Sequence, residues 1–285
     1  MSTQMKLQSA FRVPHSLRAV CAKGGPVVAL VTLFALAASP QQSPPSSAAS
    51  RAAAGKSRIV DLTHPLAAHY PAWPGDAKPF DATLNATIEK NGYFTRRVTF
   101  LEHFGTHLDA PAHFTKGGAT VEKIAPEKLF APAVVLDVRA EGARNADYLL
   151  PIAKIAAWEK AHGRIPAGAI VLLRTGWAAR WPDQARYRNA DAAGAMHFPG
   201  FSVEAVKLLL ERKVVGLGID ALSIDYGASK DFAAHTLSHA SGLYHLENLA
   251  DLSALPESGA TLIVAPIKLE GGSGGPARVF ALLPN

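Results

Sequence analysis

"HFGTHLDAPAHF", residues 103–114, sets His103, His107 and His113 around Asp109, with Gly105 and Pro111 between them. His103 and His107 are four apart, a spacing that would align them on one face of a helix. Gly105, Thr106 and Pro111 argue against that helix, because Gly costs about 1 kcal/mol in a helix interior and Pro about 3. The stretch reads instead as a strand entering a tight turn. Period-two alternation then puts His107 and Asp109 on one face, with His103 on the same parity. Two imidazoles and a carboxylate converging from one side suit a divalent cation such as zinc or manganese. Three protein donors leave coordination positions open, as catalytic sites do. His113 is the imidazole left over, and an unperturbed pKa of about 6.5 suits it to proton transfer.

Outward from this segment, short apolar runs alternate loosely with helical patterns. "APAVVLDV" (131–138), "AIVLLRT" (169–175), "VVGLGID" (214–220), "TLIVAPIK" (261–268) and "ARVFALL" (277–283) read as buried strands. "PIAKIAAWEKAHG" (151–163) opens on proline and closes on glycine, the asymmetry of a helix. "SVEAVKLLLERK" (202–213) has a serine cap, an acid in its first turn and bases in its last. Several strands follow one another directly, so residues 58–285 read as a single α/β domain with a mixed sheet.

The chain has 285 residues, 48% hydrophobic and 18% charged, the range of a globular protein. Its net charge of +6 is concentrated at the start: Lys6, Arg12, Arg18 and Lys23 precede any acid, and without them the balance is +2. No run of bases tracks a phosphate backbone elsewhere, so nucleic acid is not an expected partner. Basic residues followed by "PVVALVTLFALAA" (26–38) read as a signal peptide over 1–38, too short to span a bilayer comfortably. Residues 39–57, rich in Ser, Pro and Ala, read as a disordered linker. The mature protein is therefore expected to be periplasmic or secreted, without stable membrane insertion. The only cysteine, Cys21, falls in the leader, which excludes thiolate ligands and a cysteine nucleophile from the mature chain.

"GLGID" (216–220) lacks the third glycine of a dinucleotide fingerprint and reads as a strand running into a turn. "GGSGGP" (271–276) lacks the ending of a phosphate loop, leaving a plain turn or a pocket rim. Ser223 and Ser241 have no Gly-x-Ser-x-Gly context. His239 and His245 read as structural or exposed.

"HFGTHLDAPAH" resembles the H-x-G-T-H-x-D-x-P-x-H signature of the cyclase family of metal-dependent hydrolases, which includes kynurenine formamidases and isatin hydrolases. "PAWPGD" (71–76), "GIDALSIDYG" (218–227) and "HTLSHASGLYHLENL" (235–249) extend the resemblance over most of residues 58–285. It implies a swivelling β/β/α fold and a homodimer or homotetramer. It further implies that His103, His107 and Asp109 hold a first metal, with Asp109 able to bridge. His235 and Glu247, twelve apart, would hold a second; His113 would be the catalytic acid/base, and Trp73 would pack on the substrate's ring. "SIDYGASKDF" and "GGSGGPARVF" look closer to isatin hydrolases, whose relatives resemble one-metal enzymes, so one or two ions, Zn2+ or Mn2+, are expected. The implied activity is hydrolysis of an amide C–N bond in an aryl formamide or cyclic aryl amide. A lactonase of the same family and a non-catalytic extracytoplasmic binding module are the alternatives.

Overall fold

Residues 133–136 and 170–173 are continuous buried apolar runs, the pattern of strands covered on both faces, and both lie in strands of the computed structural model, which describes residues 58–284. The expected signal peptide and linker lie outside the described residues. In chain order the strands are β1 (Ile59–Asp61), β2 (Phe80–Ala86), β3 (Thr95–Phe100), β4 (His107–Asp109), β5 (Phe130–Asp137), β6 (Leu149–Leu150), β7 (Ile170–Arg174), β8 (Gly200–Phe201), β9 (Gly216–Ile219), β10 (Tyr244–Glu247), β11 (Thr261–Pro266) and β12 (Gly274–Leu282). The longer helices are α1 (Ile152–His162), α2 (Val203–Glu211) and α3 (Ala233–Ala240). Ser202 caps α2 by accepting from the Ala205 amide at 3.0 Å, as its position before the apolar repeat predicts.

The large sheet runs β1-β12-β11-β5-β7-β9-β10-β4, and β4 also pairs with β12, so the sheet closes on itself. Strands β5, β7, β9 and β10 are parallel, and the remaining pairings are antiparallel. The mixed α/β sheet expected from the sequence is present. Its closure is not something the strand pattern announced.

Alternation sorts the buried residues into two cores. Val134, Leu136, Val171, Leu173, Leu217 and Ile219 face outward onto Ile155 and Trp158 of α1 and Val206 and Leu209 of α2. Ala133, Val135, Ile170, Leu172 and Leu246 face inward with Leu262 and Val279. A fully buried side chain of this kind contributes about 1.5–3 kcal/mol, so the two cores together hold the ring rigid beneath whatever sits on its rim. Outside the ring, β2 and β3 form a separate antiparallel ribbon that exposes Leu84 and Val98, with Tyr93 and Phe94 exposed on the connection between them.

Candidate metal centre

The three-residue strand β4 builds the site by its pairing. Across β4 and β10, His107 lies opposite Glu247 and Asp109 opposite His245. Opposed residues of an antiparallel pair share a face, so these four point the same way while Leu108 and Leu246 point into the inner core. His103 does not extend the strand, contrary to the parity expected for it. Residues 101–106 bend, with Gly105 at φ 70°, a conformation costly for any residue with a Cβ. The bend brings His103 in from the side, where its Nδ1 lies 2.6 Å from Asp109 Oδ1. On the far side β12 presents Gly274 opposite Asp109; a Cβ there would meet His103 Cε1 at 2.7 Å. His235 comes from α3.

Asp109 is the hub. Its Oδ1 faces His103 and, at 3.1 Å, His107 Nε2; its Oδ2 faces His235 Nε2 at 3.4 Å and His245 Nδ1 at 3.8 Å. Glu247 joins both sides, with Oε2 at 3.6 Å from His107 Nε2 and Oε1 at 3.2 Å from His235 Nε2. The ligand atoms of His103, His107 and Asp109 lie within 4.8 Å of one another, and so do those of Asp109, His235, His245 and Glu247.

The outward nitrogens are fixed by protein acceptors. His107 Nδ1 donates to the Gly105 carbonyl at 2.9 Å, and His235 Nδ1 donates to Asp225 at 2.6 Å. Their Nε2 atoms therefore aim at the carboxylates, the orientation that outer partners impose on metal-binding histidines. His107 Nε2, Asp109 Oδ2 and His245 Nδ1 are buried without a hydrogen-bond partner. Each such orphan costs roughly 1–3 kcal/mol, and the three belong to the two converging sets that share Asp109. Donors about 2.1 Å from a tetrahedral ion sit roughly 3.4 Å apart, close to the separations found here. The residues fit a divalent cation.

Electrostatics agree. Burial opposes a charge on His107, yet the Asp109 and Glu247 carboxylates lift its pKa to about 9. His235 is raised well above the ordinary histidine value, because Asp109, Asp225 and Glu247 outweigh its burial. Burial also opposes ionisation of Asp109, but the His107 charge, the hydrogen bond from His103 and the close imidazoles of His107 and His235 hold it well below the carboxylate range. Burial and the Asp109 charge push Glu247 up. A carboxylate field that favours protons on imidazoles also favours a dication among them.

Of these donors, His103, His107, His235 and Glu247 floor a cavity of about 510 Å³. Trp73, Phe114 and Phe232 wall it, with the Phe232 ring 5.8 Å from Trp73 and 5.6 Å from Phe114. His113 lies in the wall, its ring stacked on His103 at 3.8 Å and accessible from the cavity. Desolvation by the surrounding walls lowers its pKa to about 4, although Asp109 pulls the other way, so it is neutral at pH 7. A larger cleft of about 750 Å³ lies elsewhere, but its Arg139–Asp137 and Lys154–Glu141 pairs, each at 2.7 Å, satisfy one another.

The family described as putative cyclase matches residues 60–226. The chain belongs to the cyclase family. An isatin hydrolase of Roseibium aggregatum is 41% identical over 192 residues, covering 65% of this chain and 73% of that one. A kynurenine formamidase of Paracidovorax citrulli is 31% identical over 232 residues, covering 79% and 97%. The structure of isatin hydrolase A from Ralstonia solanacearum is 40% identical with a TM-score of 0.77, covering 83% of this chain and 95% of that one.

Of the two histidines of this cyclase-family chain that read as structural or exposed, one takes a different place. His239 and His245 are buried, not exposed; His245 belongs to the converging set, and His239 stacks on it at 3.9 Å. The signal for His245 was the same parity rule applied to β4, since it lies two residues before Glu247 on a strand. Asp225 was also missed: its Oδ1 accepts from the Ala234 amide at the start of α3 while Oδ2 takes His235 Nδ1. Asn248 Nδ2 donates to the Gly105 carbonyl that also receives His107 Nδ1.

Proposed function

We propose that this cyclase-family protein is a metal-dependent hydrolase that opens the amide C–N bond of an aryl formamide or a cyclic aryl amide. The observation that carries the reading is the convergence of four imidazoles on Asp109 and Glu247 beneath an aromatic-walled cavity. The similarity to isatin hydrolases and kynurenine formamidases supports it.

His103, His107 and Asp109 would hold a zinc or manganese ion, with His235, His245 and Glu247 available for a second, and such an ion would supply Lewis-acid chemistry, acidifying water and polarising a carbonyl. The chain's own residues do the rest. Trp73, Phe114 and Phe232 hold a flat ring, an offset contact worth about 0.5–1.5 kcal/mol beyond its buried area. His113, neutral and outside the converging donors, takes a proton from the attacking water onto a ring nitrogen and returns it to the departing amide nitrogen. The apolar walls exclude water other than the nucleophile.

Isatin and N-formylkynurenine assayed side by side test this. Turnover of at least one is expected in the periplasmic or secreted fraction, consistent with the basic, apolar N-terminus. It should vanish on chelation and return with one divalent ion, which elemental analysis identifies. No turnover of either, with hydrolysis of an aryl lactone instead, would overturn the amide assignment. A homodimer or homotetramer, read by sizing the same preparation, would cover the apolar side chains of the β2–β3 ribbon.

The Trp73 loop has an anchor. Arg188 donates from Nε, at 2.7 Å, and from Nη2 to the Ala72 carbonyl. A charged hydrogen bond contributes about 1.5–3 kcal/mol, so Arg188→Ala is expected to raise KM about tenfold or more with kcat nearly unchanged. A fall in kcat at constant KM would show that the loop does not position the ring.

A further inference from the structure

The loop "GGSGGP" (271–276) is tied to the site through one hydroxyl. We propose that Ser273, oriented by Glu102, fixes the tautomer of His103 and so determines which of its nitrogens is offered to the cation. The inference rests on the cation seat proposed above but not on any substrate.

Glu102 Oε2 accepts twice from Ser273, from its amide at 2.9 Å and from its Oγ at 2.5 Å. A carboxylate only accepts, so the single hydroxyl proton is committed to Glu102. Towards His103 Nε2, 2.8 Å away, the Ser273 oxygen can therefore only accept, and Nε2 must carry the hydrogen. That leaves Nδ1, which donates to the Asp109 carboxylate in this structure, as the nitrogen whose proton a cation would displace. It is also the one 2.6 Å from Asp109 Oδ1, the oxygen that faces His107.

The neighbouring ligands need no such arrangement. His107 and His235 lean on a backbone carbonyl and a carboxylate, acceptors that cannot reverse. A hydroxyl can either donate or accept, and by itself it would leave His103 free to present either tautomer. Glu102 removes that freedom. Ser273 is thus a positioning residue, and "GGSGGP" is part of the metal centre rather than a plain turn.

The test uses the full chain, purified metal-free, with zinc alone titrated against a chromophoric chelator. Ser273→Ala should weaken zinc binding about 10- to 100-fold, the usual effect of losing an outer partner of a ligating histidine. Ser273→Thr, which keeps the hydroxyl, should restore it. Glu102→Ala should weaken binding as well, which keeps the test open if the Ser273 variant does not fold. Melting of each metal-free variant should match the parent. ¹⁵N NMR of the zinc-loaded parent should show His103 coordinated through Nδ1 and protonated at Nε2. Unchanged affinity in both alanine variants, zinc on Nε2, or an affinity loss matched by metal-free destabilisation would overturn the inference. A parent chain that binds no zinc would overturn the cation seat itself, a separate failure.

Discussion

Asp109→Ala should strip the protein of bound cation and abolish hydrolysis. Asp109 is the group on which both sets of converging donors depend, with His103 and His107 on one oxygen and His235 and His245 on the other. Without it, the first set keeps only His103 and His107, and the second loses the carboxylate that links it to them. Metal content should fall to background, and turnover should fall by more than the roughly 10²–10⁴-fold that a single acid–base group contributes. The metal-free protein should also melt earlier, because removing one partner of a buried charge pair costs about 3–5 kcal/mol. Elemental analysis beside a turnover assay checks this. Stoichiometric metal in the variant would show that the ion is held elsewhere.

His113→Ala should separate chemistry from metal binding. The His113 ring stacks on His103 but belongs to neither converging set. Its removal should lower kcat by about 10²–10⁴-fold while the ion remains at parental stoichiometry. Loss of the metal along with activity would make His113 a ligand and remove the proton carrier from the scheme.

Much of this was legible in the sequence wherever burial leaves a one-dimensional trace. β5, β7, α1 and α2 follow from apolar runs and caps because each is packed on a core that those residues form. The β2–β3 ribbon left no trace: "FDATLNA" and "TRRVTF" carry polar residues on faces that remain exposed. At the site, His107 and Asp109 obeyed strand parity. His103 did not, because Gly105 bends the chain just before β4 begins. His245 was passed over because a lone histidine is usually neither ligand nor catalyst, although its parity with Glu247 was visible. Asp225 and Ser273 could not be found by pattern. Their importance comes from contacts to His235 and His103, ten and 170 positions away.

Closure of the sheet through β4 has a consequence for how the protein comes to exist. The donors lie on residues 103–109 and 235–247, and these meet only when β4 is zipped to β10. An unfinished chain therefore offers at most the local trio of residues 103–109, while the finished ring would grip an ion from several sides. The ion then acts as a latch on maturation, and at a hundredfold excess over its dissociation constant it would deepen the folded well by about 2.7 kcal/mol.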